Sequence, residues 1–138
     1  MRVFLDTNIL LDALVERQDR HFNENASIIL QLGKNGVFEL FMSVLSIPTI
    51  AYVLKNLGGN GKKSIIKNIC ALVTPLPALP DHIDAMLESR MDDIEDAMQV
   101  QSARTGNCDL IITRDRSDFK NADFPFLSPK EFLERVLW

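Results

Sequence analysis

Apolar and polar positions along this chain switch repeatedly between a strand-like and a helix-like pattern. Val3, Phe4 and Leu5 form a short apolar run with no polar alternation, as expected of a strand covered on both faces in a parallel sheet flanked by helices. The run ends at Asp6, Thr7 and Asn8, residue types that favour turns and helix caps. Ile9, Leu10, Ala13 and Leu14 then recur at helical spacing. A carboxylate therefore stands where a buried strand gives way to a helix, which in open α/β sheets is the crevice where ligands bind. Read alone, Asp6 serves equally as a helix N-cap or as a chemical group.

Further along, Arg17 to Asn25 is polar and reads as a loop. Ala26, Ile29, Leu30 and Leu32 predict a helix ended by Gly33 or Gly36. Val37 to Met42 reads as a second strand and Ser43 to Leu57 as a helix, with Pro48 tolerable only near its start. Gly58, Gly59 and Gly61 predict a turn, and Lys62 to Val73 a further helix. The prolines of Thr74 to Pro80 keep that stretch extended, and Asp81 caps the helix that follows. Another helix runs from about Asp92 to Thr105, where Gly106 and Asn107 close it. Leu110 to Ile112 is a buried strand. Ser128, Pro129 and Glu131 carry the signature of a capping box before a final helix. The alternation predicts one α/β domain over residues 1–138 with a mainly parallel sheet.

Composition narrows this picture little. The 138 residues are 46% apolar and 25% charged, ordinary for a soluble globular protein. No apolar stretch approaches the roughly 20 residues that span a membrane, so a cytoplasmic location without membrane association is expected. Cys70 and Cys108 lack CxxC spacing and read as reduced core thiols. His21 and His82 have no partner at metal or triad spacing and read as surface or helix-start residues. The net charge of −4 argues against nucleic-acid binding by bulk positive charge, though not against an acidic metal site with a local basic rim.

The acids change the picture more. Two buried strands, Val3–Leu5 and Leu110–Ile112, end at or just before an acid, Asp6 and Asp115. In a parallel sheet those ends share one edge. Asp93 and Asp96 lie three apart on one helical face, at the start of stripes continued by Ala97, Val100 and Ala103. An acid on a core-facing stripe is costly unless paired or holding a metal, although either could simply favour the positive helix N-terminus. Four converging carboxylates without histidine or thiolate point to Mg²⁺ or Mn²⁺ and to phosphodiester hydrolysis. Glu95 and Asp118 are close enough in sequence to support the site. Asp12, Asp92, Asp109 and Asp123 read as surface charge.

The opening MRVFLDTNILLDAL, the segment DIEDAMQVQSARTGNCDLIITRD and the RSDF after it together resemble the PIN-domain nucleases over nearly the whole chain. The resemblance implies a three-layer α/β/α fold and Mg²⁺- or Mn²⁺-dependent cleavage of RNA. It also implies a bacterial toxin of a toxin–antitoxin pair, with an antitoxin protein and a second copy of the chain as partners. By motif position it makes Asp6, Asp96 and Asp115 the catalytic metal-binding acids and Asp93 an additional ligand. It departs at Thr49, which stands where the family places a glutamate, so a neutral, weaker ligand replaces a charge. Thr7, Asn8, Thr113, Arg114 and Arg116 are placed to contact a phosphate or bound water. Lys55, Lys62, Lys63 and Lys67 form either an RNA-binding rim or a solvated face. The competing expectation is a binding module that has lost activity at Thr49. Phosphotransfer on this scaffold is disfavoured, because no second acid follows Asp6 in a DxD arrangement.

Overall fold

The structure, a computed structural model, describes residues 1–15 and 19–137. In chain order the elements are β1 (Arg2–Leu5), α1 (Thr7–Leu14), α2 (Arg20–Lys34), β2 (Glu39–Ser43), α3 (Ser46–Val53) and α4 (Gly59–Leu72). There follow β3 (Val73–Leu76), α5 (Asp81–Glu88), α6 (Ile94–Thr105), β4 (Leu110–Ile112), α7 (Arg116–Phe119), β5 (Phe126–Leu127) and α8 (Pro129–Val136). The five strands pair in parallel in the order β3-β2-β1-β4-β5, so the first strand made is the central one.

Strand alternation sorts the core into two layers. Val3 and Leu5 of β1, Leu40 and Met42 of β2 and Ile112 of β4 face one apolar cluster, shared with Ile9, Leu10, Ile29 and Phe132. Phe4, Phe41 and Ile111 face the other, shared with Ala97, Val100 and Ala103 of α6 and with Phe119. Helices thus cover both faces, which explains the unbroken apolar runs. Phe4 and Asp6 are two residues apart and so share a face, the one that α6 covers.

Several helix boundaries differ from the sequence expectation, among them the end of α3, which stops at Val53 and not Leu57. Helix α2 begins at Arg20, capped by the Asp19 carboxylate accepting from His21 N at 2.8 Å. Residues 20–25 are therefore helical rather than loop, while Arg17 and Gln18 lie outside the described residues. Strand β2 continues through Ser43, where Val44 N bonds Leu76 O at 2.9 Å, and this pairing delays α3 to Ser46. Gly59 and Gly61 lie inside α4 rather than in a turn that ends α3. Gly36, at φ +80°, follows α2 as the left-handed residue glycine adopts freely. Gly33 serves otherwise: a Cβ there would lie 2.4 Å from Leu40 Cδ1, so its bareness lets α2 approach β2.

The final helix carries the expected capping box of Ser128 and Glu131 with Pro129 in the first turn. Both cysteines are free, Cys108 buried and Cys70 partly so. His21 is exposed, as expected. His82 starts α5 but is buried, bonded from Leu79 N to Nδ1 at 3.1 Å and from Nε2 to Thr105 Oγ1 at 2.9 Å. Among the described residues no helix is long and apolar enough to cross a membrane.

Candidate functional site

The pairing of β1 with β4 sets Leu5 beside Ile112, so the next residues, Asp6 and Thr113, meet beyond the sheet edge. Asp6 N bonds Ile112 O at 3.0 Å, and Thr113 Oγ1 donates to Asp6 Oδ2 at 2.8 Å. Asp6 occupies the N-cap position of α1. The residue is 2% exposed, and its carboxylate also meets α6. There Gln99, itself 1% exposed, donates Nε2 to Asp6 Oδ1 at 3.0 Å and to Asp96 Oδ1 at 3.2 Å. The Gln99 Oε1 accepts from Thr7 N at 3.2 Å. One amide therefore joins both acids to the start of α1.

Asp93, Asp96 and Asp118 each bring a carboxylate oxygen within 4.8 Å of the others. The buried Oδ2 of Asp118 has no hydrogen-bond partner among the described residues, an arrangement costly in an apolar surround. Asp96 responds to its neighbours: its carboxyl is pushed up to about 9, first by burial, then by a hydrogen bond to Asp118, then by the charges of Asp6, Asp93 and Asp118. Burial also raises Asp6, opposed by hydrogen bonds from Gln99 and Thr113 and by the N–H groups of Thr7 and Asn8. Glu95 is raised by burial and by the charges of Asp6 and Asp93, against a hydrogen bond from Thr7. A proton or a cation between Asp96 and Asp118 relieves both the repulsion and the unbonded oxygen. The donors are oxygens alone, which fits Mg²⁺ or Mn²⁺.

Asp115 has a second task. Its Oδ1 accepts from Asp118 N at 3.1 Å and from Ser117 Oγ at 2.9 Å, capping α7. The three carboxylates that lie within 4.8 Å of one another include Asp118, read from sequence as a supporting group, and not Asp115. Asp93 does both: its Oδ1 caps α6 by accepting from Asp96 N at 2.9 Å, and its carboxylate joins the cluster.

The arginines are engaged elsewhere. Arg114 makes a two-pronged pair with Asp12, Nε to Oδ2 at 2.6 Å and Nη2 to Oδ1 at 3.2 Å, and lies 4.2 Å over the Phe22 ring. Asp12 is 3% exposed; it is not the surface charge expected, because a carboxylate at that depth requires a cation beside it. Arg116 pairs with Glu131 of α8. Both arginines thus pair with the protein's own acids, Arg114 with Asp12 and Arg116 with Glu131. Thr49 lies half-buried on α3, one turn beyond Ser46, whose Oγ is 2.7 Å from Thr7 Oγ1. Asn8 is exposed at the start of α1.

The family model for the PIN domain matches residues 2–117. The chain belongs to the PIN-domain family. Over 97% of its length it is 30% identical to ribonuclease VapC1 of Aquifex aeolicus (strain VF5), of which it covers 94%. In fold it is similar to VapBC2 from Rickettsia felis, solved bound to a DNA fragment from their promoter. That match has a TM-score of 0.69 at 14% identity, covering 93% of this chain and 98% of the other. VapBC-1 from nontypeable Haemophilus influenzae matches with a TM-score of 0.68 at 18% identity, covering 94% of this chain and 99% of the other. The three-layer α/β/α arrangement is thus that of the family.

In this PIN domain the residues that sequence reasoning missed are Gln99, Ser46 and Asp12. Gln99 had one legible signal: it lies three residues beyond Asp96, on the helical face that already carried the acid. Ser46 and Asp12 gave none, since their partners Thr7 and Arg114 are distant in sequence.

Proposed function

We propose that this PIN domain is a divalent-cation-dependent endoribonuclease that hydrolyses RNA phosphodiester bonds. The observation that carries the reading is the meeting of Asp93, Asp96 and Asp118 within 4.8 Å around an unbonded carboxylate oxygen, with Asp6 tied in through Gln99. Asp6, Asp93, Asp96 and Asp118 would hold Mg²⁺ or Mn²⁺, with Asp115 fixing the backbone that presents Asp118. When bound, such a cation polarises a phosphate oxygen and activates a water. Gln99 and Thr113 keep the Asp6 carboxylate aimed at the site. Glu95, whose carboxyl burial and the charges of Asp6 and Asp93 raise, can take the proton of an attacking water.

The relative named as a ribonuclease and the likeness to VapBC structures support a toxin role, acting on RNA in the cytoplasm. That reading brings an antitoxin protein and a second copy of the chain as partners. Purified protein is expected to cut a mixed RNA pool with Mn²⁺ or Mg²⁺, and an Asp6→Asn preparation to leave it intact. Intact RNA with both ions overturns the reading.

Thr49 favours a second reading, a PIN-like module that binds RNA or protein with weakened cleavage. A side chain without charge leaves the α3 side of the site served only by the hydroxyls of Ser46 and Thr49. A gain of about tenfold or more in cleavage for Thr49→Glu supports this reading, and an unchanged rate rejects it.

A further inference from the structure

A cleft of about 660 Å³ opens along α6, between α5 and the segment after α7. One end adjoins the acids: Met91 and Lys120 line it, and each stands two residues from a cluster acid, Asp93 or Asp118, within about 7 Å along the chain. Three cations line the cleft, Arg90, Arg104 and Lys120, against the acids Glu88 and Asp123. The excess is one positive charge in a chain whose net charge is −4. Arg104 is held in place, its Nη2 donating to Asp123 O at 2.7 Å and its guanidinium 5.4 Å from the Phe124 ring centroid. The amides of Gln101 and Asn121 add groups that can pair with base edges.

A second basic surface competes for the same role. Residues 40–80 contain four lysines, Lys55, Lys62, Lys63 and Lys67, and no acid. Three of these lie on α4, whose apolar side, Ile65, Ile66 and Ile69, packs into the core layer on the opposite face of the sheet from α6. The cleft lining comes within two residues of Asp93 and Asp118, whereas α4 packs into the layer on the other face of the sheet.

We propose that the cleft along α6 holds the unpaired RNA strand flanking the scissile phosphate, with Arg90, Arg104 and Lys120 on its phosphates. The inference rests on the nuclease reading above. The cleft volume falls within the roughly 300–1,000 Å³ of small-ligand pockets, so it admits a nucleotide or two of one strand and not a duplex.

The test uses the full chain carrying Asp6→Asn, so that RNA is bound and not cut, with Mg²⁺ and a fluorescein-labelled single-stranded RNA followed by anisotropy. Adding Arg90→Ala and Lys120→Ala, both at exposed positions, is expected to weaken binding about tenfold at low salt. It should flatten the slope of log K against log salt by about 1.4, twice the 0.7 per phosphate of a single strand. Adding Lys63→Ala and Lys67→Ala instead is expected to change affinity less than twofold, and a duplex of the same sequence to bind more weakly than the single strand. In the cleaving parent the cleft pair should raise KM and leave kcat unchanged. Unchanged affinity and KM for the cleft pair, a loss confined to the α4 pair, or equal binding of the duplex each overturns the inference. If the parent still cleaves RNA in those cases, the nuclease reading stands. A parent that neither binds nor cuts RNA removes both.

Discussion

Asp6 and Asp115 follow the same sequence pattern, an apolar strand that runs out at or just before an acid, yet they meet different fates. Asp6 directly follows β1, the central strand, and is roofed by α6, so burial raises it and Gln99 and Thr113 must supply its hydrogen bonds. Asp115 lies three residues beyond β4, far enough to turn back and cap α7. The short helix then carries Asp118 into the cluster in its place. A strand-end acid is thus buried when a helix covers the strand end, and caps the next helix when the chain has room to turn.

The comparison can be broken or sharpened by substitution. The largest effect is expected for Asp6→Asn, a loss of about a thousandfold in kcat/KM, roughly 4 kcal/mol of transition-state stabilisation; cleavage near the parental rate would remove Asp6 from the site. Next comes the contrast between Asp118→Asn, about a hundredfold down, and Asp115→Asn, less than tenfold down. Asparagine caps nearly as well as aspartate, so this pair isolates the charge. If Asp115→Asn is the more damaging, the two acids exchange roles.

A smaller effect concerns the protein without metal. The carboxyl of Asp96 titrates at about 9 in the fold against 3.8 for its ordinary value. Between those values the folded chain holds a proton that the unfolded chain has released, so stability falls as pH rises from about 4 to about 9. Asp96→Asn should flatten that slope and melt higher than the parent at pH 8 in EDTA, by about 1 kcal/mol or a few degrees after discounting for solvent around a half-buried carboxyl. Mn²⁺ should raise the parental Tm and leave the variant nearly unmoved. A metal-free Asp96→Asn protein that melts lower than the parent contradicts the crowded-acid picture. The smallest effect is expected for Asp115→Ala, about 0.5 kcal/mol of stability through the lost cap of a single-turn helix, read from urea unfolding; no change would mean the cap is dispensable.

Much of this architecture was legible because burial on both faces leaves a plain mark. Val3–Leu5 and Leu110–Ile112 are unbroken apolar runs, and their shared edge follows from parallel pairing. That Asp93 and Asp96 share one helical face was legible too, from their spacing, and their approach to Asp6 from the packing of that face on the sheet. What escaped depended on partners far along the chain. Asp12 is buried against Arg114, 102 residues away. The start of α2 was hidden by polar residues, Arg20, His21, Asn23 and Glu24, on a turn with little apolar face. By sequence Asp115 ranks above Asp118, and the meeting of Asp118 with Asp93 and Asp96 depends on the turn of α7, which spacing does not reveal.

The order of the strands has a consequence for when the protein becomes active. Because β1 lies between β2 and β4, Asp6 must wait for an acid more than a hundred residues further along. Chains are made at about 5–20 residues per second, and until Asp118 has emerged the cluster has no third member. On the nuclease reading, the growing chain stays harmless to the message that encodes it for the seconds that separate Asp6 from Asp118.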